Sequence, residues 1–271
     1  MRRKALMLVA VFVMLAITVV PALAVQFGQP DGNAHPQVGL LIIDVNGAPM
    51  WRCSGTMLSP RVLLTAGHCT FDDPNGDGVN DVTGGRVWFE PDTQPGYPFG
   101  GPTSIEWEEW HPHPMYNGNA FFLHDAGIVI LEEDAQGPYA SLASIGLLDQ
   151  IATGRGQQDQ SFTVVGYGLQ SVVPTLQADW VRYQGQVQLI DVNGVFGIPK
   201  GTSASFTNSP GKGTGPGGTC FGDSGGPVFY GDSLQIAAIT SFGVNANCAG
   251  TGGGYRVDTA DDQAFINTFL P

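Results

Sequence analysis

Residues 220–227 read Cys-Phe-Gly-Asp-Ser-Gly-Gly-Pro, and no other segment restricts the fold as tightly. Ser224 stands on a turn flanked by glycines, which take backbone dihedrals and close approaches that other residues cannot. The apolar run Val228-Phe229-Tyr230 follows and reads as a buried strand. Such a turn can aim the N–H groups of Gly222 and Ser224 at one point, where the oxyanion of an acyl transfer would develop. A serine hydroxyl is a weak nucleophile at neutral pH unless a base removes its proton. The five histidines, His35, His68, His111, His113 and His124, all precede it. Any fold that uses Ser224 must therefore bring back a base from at least 100 residues upstream.

Two upstream segments suit that task. His68 lies in Thr-Ala-Gly-His-Cys, after the apolar run Val62-Leu63-Leu64, and Asp125 opens another apolar run, Ala126 to Leu131. Gly222 to Gly226 also fits the G-x-S-x-G elbow of α/β-hydrolases, but that fold orders its triad serine, acid, histidine. No histidine follows Ser224, so the elbow reading fails. A subtilisin-like order needs an aspartate before His68. Asp31 and Asp44 are available, yet neither carries a motif and alternating strand–helix segments are absent. The order His68, Asp125, Ser224 survives. His124 reads as a loop histidine and His35 has no partner pattern. His111 and His113 alternate with prolines, which favours an extended loop over a pair of metal ligands.

The N-terminus reads as an export signal. Met1-Arg2-Arg3-Lys4 precede an apolar stretch from Ala5 to Val20, broken only by Thr18, and Pro21-Ala22-Leu23-Ala24 offers a small-residue cleavage site. Residues 1–24 are expected to be removed, leaving a secreted, extracellular or periplasmic chain. Losing three basic residues shifts the formal net charge from −13 to −16. That excludes nucleic acid and anionic membranes as expected partners and favours basic substrates at low salt. With 39 glycines and only 13% charged residues, the composition suits many short strands rather than helices.

Taken together, Thr65 to Cys69, Asp125 to Leu131 and Gly222 to Pro227 resemble the three catalytic motifs of the trypsin/chymotrypsin-like serine endopeptidases, in type and in order. Weaker similarities run through Pro36-Gln37-Val38, Cys53 to Ser59, Val165-Gly166-Tyr167-Gly168 and Thr240 to Gly243. The resemblance implies an all-β fold of two packed antiparallel six-stranded barrels with a short C-terminal helix. It also implies a Ser224–His68–Asp125 triad and an oxyanion hole made by the N–H groups of Gly222 and Ser224. Among the three connectivities that four cysteines allow, it implies Cys53–Cys69 and Cys220–Cys248. Activation in the family comes from a fresh apolar N-terminus whose ammonium pairs with the aspartate before the nucleophile. Here those groups would be Val25 and Asp223. Substrate would lie against Gly218, Thr219, Phe221, Ser241, Phe242, Gly243 and Gly253. Gly218 replaces the pocket-base aspartate that selects arginine or lysine, so an aromatic or large apolar side chain is expected before the scissile bond. Partners implied are protein or peptide substrates and, potentially, a proteinaceous inhibitor. No membrane association is expected after signal cleavage, and the chain is expected to be a monomer. The alternative is a catalytically silent protease fold used for binding or adhesion.

One segment lies outside that pattern. Asp73, Asn75, Asp77 and Asp81 place oxygen ligands in the first half of an EF-hand-type loop, with Gly78 at the sharp turn. Gly84 stands where the bidentate glutamate belongs and no helices flank the loop. A structural calcium loop and a plain polar turn both stay open, and no cofactor is required for the chemistry. The barrels are expected at about 25–142 and 161–258. A helix at about 259–270 would be capped by Asp258-Thr259, start with Asp261 and Asp262, and bury Phe265, Ile266, Phe269 and Leu270.

Overall fold

The computed structural model describes residues 25–26, 28–93, 103–152, 160–194, 198–208 and 217–271. Residues 1–24, read above as a signal peptide, lie outside the described residues. After β1 (Gln29–Pro30), the first barrel comprises β2 (Val38–Val45), β3 (Ala48–Met57), β4 (Val62–Thr65), β5 (Val82–Trp88), β6 (Ile105–Pro112) and β7 (Gly127–Leu131). It closes in the order β2-β3-β4-β7-β6-β5, with β5 returning to β2. After β8 (Ser141–Leu142), the second comprises β9 (Ser161–Gly166), β10 (Tyr183–Asp191), β11 (Ser203–Asn208), β12 (Pro227–Tyr230), β13 (Gln235–Gly243) and β14 (Gly250–Arg256). Its order is β9-β10-β11-β14-β13-β12, and β12 pairs back onto β9. The two antiparallel six-stranded barrels implied by the resemblance are therefore present.

Strand β2 shows why its sequence is apolar on both faces. Side chains alternate across a strand, and Leu41 and Ile43 join the first barrel's core. Leu40 and Ile42 point the other way and meet Trp88 and Tyr167. Tyr167 belongs to the second barrel's leading segment, so the outer face of β2 forms part of the seam. Both chain ends cross that seam. Strand β1 pairs with β10, while Phe265, Ile266, Phe269 and Leu270 join the core cluster that runs through both barrels.

Among the described residues, two α-helices accompany the barrels. The connection between them carries α1 (Leu147–Ile151), and α2 (Ala260–Asn267) follows the second barrel. Thr259 caps α2 through its hydroxyl, which accepts from the Asp262 N–H. Helix α2 ends three residues before the span read from sequence. Thr268, Phe269 and Leu270 instead continue in turns whose N–H groups reach back three residues. A 3₁₀-type last turn of this kind satisfies carbonyls that an α-helix leaves open.

A buried guanidinium ties the N-terminal segment to both barrels. Arg182, fully buried, donates to Asp31 Oδ2 at 2.9 Å, Val38 O at 2.9 Å, Phe89 O at 2.8 Å and Tyr167 Oη at 3.1 Å. It also reaches Asn33 Oδ1 at 2.7 Å. His35, which had no visible partner in the sequence, lies with Nδ1 2.5 Å from Asp31 Oδ1 and stacks on Phe229. Burial opposes ionisation of Asp31, but the contacts with His35 and Arg182 outweigh it and hold the carboxyl below its usual range.

Replacing Arg182 by Met should destabilise the protein by about 3–5 kcal/mol, since it strands a buried carboxylate. Urea unfolding at neutral pH checks this. The Asp31 contribution is complete above the ordinary carboxylate pKa and lost as pH falls through its lowered value. The gap between wild type and Arg182→Met should therefore narrow in acid.

Candidate active site

Strand pairing brings the first two residues together. Strands β4 and β7 are neighbours, with Thr65 opposite Gly127, so the turns at these strand ends lie side by side. His68 sits in the 3₁₀ turn Gly67–Cys69 just after β4, anchored by the Cys53–Cys69 bond. Asp125 sits two residues before β7 and is fully buried. Its Oδ1 accepts from the His68 backbone N–H at 2.9 Å, and its oxygens lie 3.1 and 3.0 Å from the ring Nδ1. Ser241, expected only along the substrate, also donates its hydroxyl to Asp125 Oδ2 at 2.5 Å. No motif signalled that second role, because β13 meets Asp125 only in three dimensions. Burial disfavours the imidazolium, yet the facing Asp125 carboxylate overrides it and raises the His68 pKa.

Ser224 comes from the second barrel and docks on the first. The Ser54 N–H donates to Ser224 O at 2.7 Å and its hydroxyl to Gly222 O at 2.9 Å. Gly225 carries φ +78, and a Cβ there would fall 2.0 Å from Thr65 Oγ1. Among the described residues, no group accepts from the N–H of Gly222 or Ser224, which leaves both donors for a ligand. His68 and Ser224 line one cavity of about 520 Å³ with Thr219, Phe221, Ser241, Phe242 and Gly243.

Asp223, behind the serine, is buried and accepts from Gly168 N–H at 2.8 Å and Cys220 N–H at 2.9 Å. The Gly-x-Gly of residues 166–168 follows from this packing. A Cβ on either glycine would lie 2.3 Å from a carboxylate oxygen of Asp223. Burial pushes the Asp223 carboxyl up to about 6, against the pull of its two N–H donors and of Arg52. Val25 is also fully buried, packed in the second barrel's core cluster against Gly185.

The pocket glycines need one correction. Gly253 was expected on the wall, but a Cβ there would strike the Phe242 ring at 2.2 Å. Gly252 takes the wall position instead. It pairs with Gly243, and its missing side chain would point at Thr219 and Asn208. A register step of one residue turns a side chain to the opposite face, and sequence alone left that step open across the preceding loop. Gly218 is buried, and the second disulfide joins Cys220 to Cys248 beside the cavity.

The oxygens of the calcium-like loop are engaged with its own backbone. Asp73 accepts from the Asp77 and Gly78 N–H groups at 3.0 and 2.9 Å, Asn75 from Asp77 at 2.9 Å, and Asp77 from Val79 at 2.8 Å. Asn80, outside the predicted set, holds the loop base by accepting from Asp72 N–H and donating to Thr70 O. Asp81 does not share a close set of ligand atoms with Asp73 and Asp77. His111 and His113 are not a pair. His113 stacks on His124 with ring centroids 5.0 Å apart, and Asp261 lies 3.7 and 4.0 Å away from them. His113 Nδ1 accepts from the Met115 N–H at 3.2 Å. In the neutral ring that puts the proton on Nε2, the atom a metal would need.

Comparison with known proteins gives a consistent result. The sequence profile of the Trypsin family matches residues 28–262. Brachyurin of Leptuca pugilator is 31% identical over 221 residues, covering 80% of this chain and 84% of the brachyurin. Chymotrypsin of Phaedon cochleariae is 23% identical over 82% of this chain and 74% of its own length. The solved structure of HL collagenase superposes with a TM-score of 0.67 at 21% identity, over 91% of this chain and 98% of that one.

The His68 ring, followed by NMR, should titrate above a free histidine. Asp125→Asn removes the charge that stabilises the imidazolium, so the midpoint should fall. An unchanged midpoint would show that the carboxylate does not govern the ring.

Proposed function

This chain belongs to the trypsin family and is a serine-type endopeptidase, and we propose that it is secreted and acts through Ser224, His68 and Asp125. The carrying observation is the junction itself. His68, oriented by a buried carboxylate, faces the same cavity as a serine whose turn leaves two N–H donors unengaged. Ser224 Oγ bonds to the scissile carbonyl carbon while His68 takes its proton. The N–H groups of Gly222 and Ser224 stabilise the oxyanion, each worth about 3 kcal/mol of barrier. The tetrahedral species collapses as His68 protonates the leaving amine. Water then repeats the sequence and frees the acid. Asp125→Asn should lower kcat by about 10⁴-fold, as neutralising a triad aspartate does, which steady-state kinetics on a peptide ester or amide would measure.

The cavity favours an aromatic or large apolar side chain before the scissile bond. Gly218 brings no charge to its base, and Gly243 and Gly252 keep the walls open. Phe121 and Phe221, both exposed, flank the entrance and offer apolar surface to neighbouring substrate residues.

Val25 as the mature N-terminus is the activating element in this reading. In the full chain Val25 holds φ +42, a region in which a β-branched residue clashes with the carbonyl before it. A cut after Ala24 removes that carbonyl and frees an ammonium that would pair with Asp223, a carboxylate that burial has left reluctant to ionise. A chain beginning at Val25 should take up one fluorophosphonate per molecule at Ser224, read by intact mass. The same chain with one extra N-terminal residue should label far more slowly. Equal labelling would remove the N-terminus from activation, and no labelling of either form would point to a binding protein.

A further inference from the structure

We propose that Asn208 and Thr219 form a hydrogen-bonding floor to the substrate pocket that favours tyrosine over phenylalanine before the scissile bond. This rests on the aromatic-accepting pocket proposed above and assigns its selectivity to two side chains.

Asn208 ends β11 and is almost wholly buried. Its Nδ2 donates to Thr219 O at 2.8 Å and Cys248 O at 3.0 Å. Only the NH₂ end of an amide can serve two carbonyls, so the Oδ1 end must face the other way. Among the described residues, no group donates to that oxygen. Its direction is toward the space that Gly252 leaves open. A Cβ on Gly252 would lie 3.4 Å from Asn208 Oδ1 and 3.2 Å from Thr219 Oγ1.

That space is part of a recess of about 10 Å³, which shares Thr219 and Thr240 with the main cavity. It is about the size needed for one oxygen-sized group. Val164, Phe206 and Val228 supply its apolar walls. Among the described residues, no carboxylate lines the recess or the cavity. A lysine or arginine would be desolvated there without a counter-charge. Phenylalanine would fill the apolar part and leave the amide oxygen without a donor. A tyrosine hydroxyl can donate to Asn208 Oδ1 while accepting from the Thr219 hydroxyl. Sites built around a substrate hydroxyl discriminate against analogues that lack it.

The test measures kcat/KM on matched peptides with Tyr, Phe, Leu, Lys or Ala before the cleaved bond. Fluorophosphonate labelling counts competent sites in each preparation. Tyr should exceed Phe by about tenfold or more. Gly252→Ala, which places a methyl between the two oxygens, and Thr219→Val should each bring that ratio toward one. Asn208→Asp should raise cleavage after Lys relative to wild type. A wild-type ratio near one, or a ratio that Gly252→Ala leaves unmoved, overturns the floor while leaving the aromatic pocket standing. Cleavage of the Ala peptide with neither aromatic accepted overturns the pocket reading beneath it.

Discussion

The site depends on a backbone-to-backbone contact between the two barrels at Ser54. That residue of β3 donates its N–H to Ser224 O and its hydroxyl to Gly222 O, while its carbonyl accepts from the Thr65 hydroxyl. The nucleophile's turn is thus hydrogen-bonded on the strand that leads toward the histidine. The separation leaves no room for side chains. A Cβ at Gly225 would fall 2.5 Å from Ser54 O, and one at Gly226 would fall 2.5 Å from Val165 O. The Asp-Ser-Gly-Gly run therefore meets a docking requirement beside its proposed catalytic one. It sets Ser224 against the first barrel, while the Cys53–Cys69 bond holds the histidine turn on the same strand.

Buried charge does different work on the two sides of the seam. Arg182 is paired with Asp31 and its remaining donors are satisfied by oxygens from both barrels, so it orders the N-terminal segment. Removing a partner from such an arrangement costs more than forming it contributes. Asp223 is buried with two backbone donors, and its carboxyl stays raised. Asp125 is different again: its four contacts from His68 and Ser241 fix a ring tautomer and turn a general carboxylate into a positioning device.

Much of this was legible in the chain. The proposed triad could be named because catalytic chemistry needs particular residue types, and only one order of histidine, aspartate and serine was free of contradiction. The C-terminal helix was legible from its cap and apolar spacing, although Phe269 and Leu270 fall in the turns beyond α2. Helix α1 was not read, since five residues are too few to show a period. The Arg182–Asp31 pair escaped notice because it spans about 150 positions, and the His35–Asp31 contact because two polar residues four apart outside a helix carry no pattern of their own. Ser241's bond to Asp125 was hidden for the same reason. The Gly252 and Gly253 exchange arose from β14's register, which a loop of uncertain length had left undetermined.

The sequence by itself determined the chemical inventory and the order of the proposed catalytic groups, which follow from residue type and spacing, and its motifs carried the resemblance that implied the all-β architecture. Only the tertiary structure decided which oxygens meet which donors. Which glycine faces the pocket, where the Asn208 amide points and what satisfies Arg182 all depend on distances between strands remote in the chain. Hydrogen bonding is short-ranged and directional, so a step of one residue in register changes each of those answers while leaving the sequence pattern untouched.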